Sequence, residues 1–227
     1  MSAVKKIDNL EFVEVFMKVI DTNGIAYVEL LAENSDWYCG TDYSCGDLYE
    51  AEEVYNSGGS FKPNRLIFIH HPDGKLVEPI ILSENQYFGR PTQIDGIIYI
   101  LLVDFNRQII QVFDCSDNFQ NISIHVELPL SEVKDCLNLL LKGEPLMITR
   151  QGTENKFEVV WPEKISFEMG ETESFIYRKD NEWVFSKWIE DPDYREEIVI
   201  RNSNGEIIKT IQGGIFITPA GETWVLN

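Results

Sequence analysis

The chain has 227 residues, of which 44% are hydrophobic, and this length suffices for one large all-β domain or for two small domains. With 38 acidic against 19 basic residues, the net charge is −19. A charge of this sign repels nucleic-acid phosphates and anionic membrane surfaces, and the sequence has no basic patch to offset it. We therefore expect neither a nucleic acid nor a membrane as a partner.

The sequence also bears on the cellular compartment. The first residues lack the apolar core of a secretory signal, and no apolar run approaches the roughly 18 residues that a membrane-spanning helix needs. Four cysteines are too few for a disulfide scaffold in a chain of this length, and reduced thiols are the simpler interpretation. These features predict a cytoplasmic protein.

Strands are predicted on both sides of an irregular segment in the first part of the chain. Residues 10–20 and 25–32 are rich in β-branched and aromatic side chains, which favours strands. Residues 61–82 predict a hairpin, since the Pro72-Asp73-Gly74 turn separates two apolar runs.

The irregular segment between them, residues 34–59, is aromatic, acidic and punctuated by glycine. Within it, residues 47–55 predict a short helix. Asp47 is a suitable N-cap, and the acidic residues that follow it are favoured by the helix dipole. We therefore interpret this segment as a loop and short-helix insertion.

The most regular stretch is residues 93–127, where three short strands are predicted. Asp95-Gly96 is a turn dipeptide that opens the first strand. Polar turns at residues 104–107 and 114–118 then separate the three strands.

The remainder of the chain predicts more strands and one short helical turn, at residues 130–135. The Asn202–Gly205 stretch ends in Asn-Gly, a dipeptide typical of hairpin turns. The predicted strands cover residues 137–142, 146–150, 156–161, 164–168, 182–190, 197–201 and 206–212.

A short phrase recurs along the chain, a tight turn followed within a few residues by a large apolar side chain, in most copies an aromatic one. The copies begin at Asn23, Asp95, Gly143, Asp180 and Ala220 and contain Tyr27, Tyr99, Leu146, Trp183 and Trp224. After the insertion, the copies are roughly 40–50 residues apart with several predicted strands in each interval, which is typical of propeller blades.

On these phrases the chain resembles a β-propeller in the broad sense, although it has no Trp-Asp dipeptide and no double glycine followed by the aromatic spacing of kelch repeats. The resemblance implies one all-β domain over residues 1–227, with about five short blades and with residues 10–20 completing the last blade. It assigns no functionally characterised family. A β-sandwich is the alternative, since it has similar strand spacing.

Metal and nucleophile chemistry find little support in the sequence. Cys39 and Cys45 are separated by five residues, whereas structural zinc sites prefer two to four. His70 and His71 are adjacent on a predicted strand and point to opposite faces. No phosphate-binding loop and no nucleophile elbow is present. We predict no metal site, no cofactor and no catalytic residue.

The best candidate for a binding site is the insertion together with its neighbourhood, because insertions in repeat folds form loops on one face. Trp37, Tyr38 and Tyr43 are amphipathic side chains of the kind enriched at interfaces. Asp42 lies between them, and Arg90 is expected on the same rim. We predict a non-catalytic binding or scaffold module for an unidentified protein, small molecule or glycan.

The alternative is a glycan-active hydrolase with paired carboxylates at the propeller axis, since this chemistry needs two acids at a defined separation. The sequence offers Asp42, Asp47, Asp95 and Asp104 for this purpose. With 38 acids in the chain, their presence decides nothing.

Overall fold

Four small antiparallel sheets follow one another along the chain and are arranged like the blades of a β-propeller. The computed structural model describes residues 17–32, 35–218 and 220–227. The first blade consists of β1 (Glu29–Leu30), β2 (Trp37–Thr41), β3 (Leu66–His70) and β4 (Leu76–Val77). The second consists of β5 (Gln86–Phe88), β6 (Thr92–Ile94), β7 (Ile97–Asp104), β8 (Ile109–Ser116) and β9 (Asn121–Pro129).

The third and fourth blades repeat this up-and-down order. The third consists of β10 (Leu140–Lys142), β11 (Met147–Gly152), β12 (Lys156–Trp161) and β13 (Ile165–Glu168). The fourth consists of β14 (Glu173–Lys179), β15 (Glu182–Ile189), β16 (Arg195–Arg201) and β17 (Ile207–Gln212). A two-stranded sheet, β18 (Gly214–Ile217) with β19 (Thr223–Leu226), follows them.

The all-β propeller architecture is therefore confirmed, but the blade count is four rather than about five. The last recurring phrase contains Trp224, which lies on β19 of the two-stranded sheet. The phrases around Tyr99, Leu146 and Trp183 instead open the long strands β7, β11 and β15. A recurring phrase marks a turn into a strand, and it carries no information on how many strands follow.

The helix α1 (Leu48–Asn56) confirms the prediction for residues 47–55. Asp47 is its N-cap: the Asp47 side chain accepts from the Glu50 amide over 2.9 Å, and Glu50 accepts in return from the Asp47 amide over 2.8 Å. The helical turn predicted at residues 130–135 is a short 3-10 helix at Leu130–Glu132.

The insertion begins and ends later in the chain than the sequence predicts. Residues Trp37–Thr41 form a strand of the first blade. The side chains of Trp37 and Cys39, two residues apart, both face the core. The irregular segment therefore runs from residue 42 to residue 65, between β2 and β3, and it contains α1.

The prediction that residues 10–20 complete the last blade falls mostly outside the described residues. Residues 17–20 are described and form no strand. Lys18 Nζ donates to the carbonyl oxygens of Pro72 and Asp73 over 2.6 and 2.8 Å, which places this residue beside the turn between β3 and β4 of the first blade.

The hydrophobic core lies between successive blades, as the propeller geometry requires. Trp37, Phe68, Phe88 and Ile100 pack the first blade against the second. Further cores join the second blade with α1 and the third blade, and the third blade with the fourth. Their central members are Leu48, Leu101 and Ile148 in one core, and Met147, Phe157, Trp183 and Phe185 in the other.

None of the helices in the described part of the chain is both long and apolar enough to cross a membrane.

Candidate functional site

Two cavities adjoin each other at Arg90 and Pro91. The smaller has a volume of about 220 Å³ and lies between the first, second and third blades and the start of α1. We call it the tyrosine cleft, because Tyr27, Tyr43, Tyr49 and Tyr87 line it. The larger, of about 980 Å³, is lined by residues on or beside β1, β6, β10 and β14 and by the two-stranded sheet, and we call it the axial cavity.

The loop that carries Tyr43 is held by its own polar side chains. Asp42 Oδ1 accepts from the amides of Ser44 and Arg65 over 3.3 and 2.9 Å. Tyr43 and Cys45 have φ angles of 48° and 67°, in the left-handed region. This bend directs the chain into α1 and leaves Tyr43 63% exposed at the rim of the cleft.

Tyr87 links this loop to the second blade. Its ring is buried, and its hydroxyl donates to the carbonyl oxygen of Gly46, one residue before the N-cap of α1. Burial, followed by the nearby charge of Asp47, raises the pKa of the Tyr87 hydroxyl. The hydroxyl therefore stays protonated and remains a donor at neutral pH.

Two cysteine residues line the tyrosine cleft. Burial, followed by the charge of Glu29, raises the pKa of the Cys39 thiol to about 11. The pKa of the Cys136 thiol is also raised, first by burial and then by Glu52, whose carboxylate accepts from the Cys136 amide over 2.6 Å. Both thiols are therefore protonated at neutral pH, and thiolate is the form that attacks substrates and binds metals.

The described residues contain no group of three or more His, Cys, Asp or Glu side chains in metal-binding geometry. His70, which the sequence offered as a possible ligand, is engaged elsewhere. Its Nδ1 lies 2.8 Å from the Asp73 carboxylate, and its ring packs against Trp37 at a centroid distance of 4.8 Å.

Arg90 stands at the boundary of the two cavities. Its Nη2 forms a salt bridge of 2.9 Å with Glu29, and its side chain is 65% exposed. Since Glu29 lines the tyrosine cleft, this ion pair provides the charged part of an otherwise aromatic rim.

The structure brings together two of the five predicted site residues, Tyr43 and Arg90, both of which line the tyrosine cleft. Trp37 is only 5% exposed and packs against His70 and Phe119, so it is not available to a partner. Tyr38 is partly buried and packs against the cluster of Ile25, Ile67 and Ile69. Asp42 stabilises the loop by accepting hydrogen bonds from the Ser44 and Arg65 amides.

The burial of Trp37 has a simple physical cause. It lies on a strand, where alternate side chains face the core, and an indole gains more from a full apolar environment than from a rim. The sequence prediction assigned the residue to a loop, and for that reason expected an exposed side chain.

Three cleft tyrosines were missed by the sequence analysis as site residues. Tyr27 belongs to a recurring phrase and was interpreted only as part of the repeat, although its side chain is 72% exposed. Tyr49 lies on the predicted helix, and Tyr87 lies on a strand, β5, that was not predicted. Tyr49 and Tyr87 lie six and three residues from the predicted site residues Tyr43 and Arg90, and this proximity in the sequence was the local signal for them.

Cationic side chains outnumber carboxylates in the lining of the axial cavity. Its lining includes Arg90, Lys142, Arg178 and Lys179, together with the carboxylates Glu144 and Asp180. Only Arg90 of these residues is predicted from the sequence as a site residue, because the lining residues are dispersed over three blades.

The four acids that the sequence offered for hydrolysis have other contacts or lie elsewhere. Asp42 and Asp47 accept from backbone amides, and Asp104 accepts from the Arg107 amide over 3.0 Å. Asp95 occupies a turn with a φ of 50°. None of the four lines the axial cavity as the structure describes it. The hydrolase hypothesis stays a prediction.

Comparison of the chain with models of protein families, with curated proteins and with solved structures finds no match.

Proposed function

We propose that the protein is a non-catalytic binding module and that its ligand occupies the tyrosine cleft. The observation that carries this proposal is the convergence of four tyrosines on one cavity from three separate parts of the chain. Tyrosines present large contact areas at low conformational cost, and their hydroxyls select for polar groups.

The exposure of the cleft residues supports binding over a purely structural role. Tyr27 and Tyr43 are 72% and 63% exposed, whereas Tyr87 is almost fully buried and supports the loop. Exposed aromatic side chains that line one cavity together, rather than standing singly on the surface, are typical of a binding site. The Arg90–Glu29 pair at the same rim offers a donor and an acceptor for an uncharged polar ligand.

The apolar surface and the ion pair indicate the class of ligand. A small neutral molecule with a ring and several hydroxyl or amide groups, such as a sugar or a short peptide segment, stacks on tyrosine and hydrogen-bonds with Arg90 and Glu29. The protonated state of the two cleft thiols supports binding without covalent chemistry.

A cytoplasmic location belongs to the same proposal. Its support is the state of the cysteines, which are all free and of which Cys39, Cys115 and Cys136 are buried. Free thiols persist in reducing compartments.

The experiment is saturation-transfer difference NMR with a panel of methyl glycosides, aromatic fragments and short neutral peptides. We expect at least one class to give transfer signals with the wild-type protein. We expect Tyr43→Ala and Tyr27→Ala to weaken that binding by about tenfold each, the range for a contact tyrosine.

The matched control is Tyr194→Ala. Tyr194 is 67% exposed, like Tyr43, but it lies beside the fourth blade, where its hydroxyl donates to Glu196. Binding that survives in Tyr194→Ala and is lost in the two cleft variants supports the proposal. If every probe fails to bind, or if binding is unchanged by both cleft variants, the proposal is wrong.

A further inference from the structure

The axial cavity is large enough for a metabolite-sized ligand. Its volume of about 980 Å³ lies near the upper end of the range for small-molecule sites, roughly 300–1,000 Å³. Residues from all four blades line it, on or next to β1, β6, β10 and β14, and so do Ile217 and Thr223 of the two-stranded sheet. The cavity is thus a product of the blade arrangement and is separate from the loop that forms the tyrosine cleft.

Two of the four lining cations already have carboxylate partners. Arg90 pairs with Glu29, and Arg178 pairs with Glu163 over 2.6 Å while its guanidinium packs 4.6 Å from the Trp183 ring centroid. No carboxylate of the described residues lies within ion-pair distance of the ammonium groups of Lys142 and Lys179.

Lys142 is the most unusual of these cations. It is partly buried, its Nζ donates to the carbonyl oxygen of Phe175 over 3.3 Å, and the same atom lies 5.5 Å from the centroid of the Phe175 ring. An ammonium group has three N–H donors, so this contact leaves capacity for further acceptors. Burial, followed by the positive charge of Arg90, lowers the pKa of Lys142. An anion in the cavity offsets both the burial of the ammonium charge and its repulsion by Arg90.

The two lining carboxylates are placed differently. Glu144 and Asp180 are both exposed, whereas Lys142 and Arg178 are partly buried. The inner part of the cavity is therefore cationic, and the negative charges stand at its mouth. This arrangement favours a compact anion that enters the inner part of the cavity. An anion that stays at the mouth lies beside the carboxylates and is repelled by them.

The geometry points to an anion-binding site in the axial cavity, with Lys142 as its anchor and Lys179 at its mouth, for a small molecule that carries an oxyanion group such as phosphate or carboxylate. The site does not depend on the tyrosine cleft, with which it shares only the residues at the boundary of the two cavities.

The net charge of −19 restricts the ligand to a small one. At physiological ionic strength, charges are screened beyond about 8 Å, so an anion inside the cavity senses mainly the lining cations. A long polyanion extends past the mouth and over an acidic surface, where it is repelled. An acidic polymer is therefore the wrong class of partner.

The experiment is isothermal titration calorimetry of the full chain with pyrophosphate and, in a second arm, with citrate, both at low and matched ionic strength. The two arms distinguish a phosphate from a carboxylate ligand. We expect one of the two anions to bind to the wild-type protein and Lys142→Met to weaken this binding by about tenfold or more, the range for a charge-assisted hydrogen bond.

Three further variants separate a binding role from a structural one. Lys179→Met changes an exposed side chain and is expected to weaken binding by about threefold. Lys209→Met, an exposed lysine on β17, is the matched control and is expected to have no effect. Asp180→Asn removes a carboxylate at the mouth while keeping a residue that tolerates its φ of 54°, and it is expected to strengthen binding by about twofold.

The outcomes are unambiguous. Selective loss of binding in Lys142→Met and Lys179→Met, with a gain in Asp180→Asn, supports the site. Failure of both anions to bind overturns it, and so does equal binding by the Lys142, Lys179 and Lys209 variants. Since none of these changes touches the tyrosines, the result is independent of the proposal for the cleft.

Discussion

Arg150 and Glu158 lie directly opposite each other on β11 and β12, and Nη1 of Arg150 donates to Oε2 of Glu158 over 2.8 Å. The guanidinium also donates to Asp135 over 2.7 Å and to Glu154 over 2.9 Å, and the Arg150 side chain is fully buried. One buried cation is thus surrounded by three carboxylates in the third blade.

Replacing this cation is expected to destabilise the protein strongly. Arg150→Met keeps an unbranched apolar stem but leaves Asp135, Glu154 and Glu158 clustered with no central positive charge. We expect the free energy of unfolding to fall by about 3–5 kcal/mol, measured by urea denaturation. Arg195→Met, at an exposed arginine on β16, is the control and is expected to change it by less than about 0.5 kcal/mol. A loss below about 1 kcal/mol for Arg150→Met would contradict the prediction.

The same cluster predicts a dependence of stability on pH. The hydrogen bond from Arg150 lowers the pKa of Glu154 from its ordinary value of 4.5 to about 2. Because the folded-state pKa is depressed, Glu154 stabilises the protein fully above the unfolded pKa. That contribution is lost as the pH falls from 4.5 towards 2.

The measurement compares the wild type with Glu154→Gln by urea denaturation between about pH 7 and about pH 3. We expect the wild type to be more stable at neutral pH and the difference to shrink on acidification. A difference that stays constant over this range would show that Glu154 is not the group responsible.

The capping box of α1 is expected to be needed for a stable cleft wall. Asp47→Ala removes the acceptor for the Glu50 amide, and we expect a loss of about 1 kcal/mol in the free energy of unfolding. Hydrogen exchange checks this locally, since the Glu50 amide should lose protection while amides of β7 keep theirs. Asp47→Asn retains an acceptor and is the matched control; equal loss of protection in both variants would argue against capping.

Gly205 is expected to resist substitution for a reason of space as well as of backbone conformation. Its φ is +82°, and a Cβ atom there would lie 2.6 Å from Cγ of Phe167. We therefore expect Gly205→Ala to cost about 1–3 kcal/mol more than the backbone strain alone.

Gly96→Ala isolates that strain. Gly96 has a similar φ of +78°, and a Cβ atom there would meet nothing within 4 Å. Its expected cost is about 1 kcal/mol, the penalty for a left-handed residue with a side chain. Thermal or urea unfolding of the two variants gives the comparison, and equal costs would show that Phe167 adjusts without penalty.

Local patterns sufficed for much of the fold. The three strands predicted between residues 93 and 127 correspond to β7, β8 and β9, and the N-cap at Asp47 lies where its sequence context places it. Each of these features depends on neighbours within a few residues, and turn and capping chemistry acts over that distance.

Strand β14 was not predicted, because it depends on a contact between residues that are far apart in the chain. It begins at Glu173, which is 6% exposed because Arg201 donates to both of its carboxylate oxygens, over 3.0 and 2.9 Å. A glutamate in a sequence is ordinarily assigned to the surface. Only a partner 28 residues away makes its burial favourable.

The candidate site was predicted less well than the fold, and the tyrosines show why. Tyr43 and Arg90 were expected at one rim, and both line the cleft, whereas Tyr27 and Tyr87 come from the first and second blades and meet there only after the blades pack. Trp37 has the composition of an interface residue, but its position in a strand buries it.

The amino-acid sequence alone therefore determines the all-β character, the turns, the helix cap and the acidic surface, because these follow from local chemistry and from composition. The number of blades, the two cavities and the cationic interior around Lys142 depend on contacts between residues far apart in the chain. Such contacts form when the strands are paired and stacked, and the cations that meet in the axial cavity are separated by up to 89 residues, from Arg90 to Lys179.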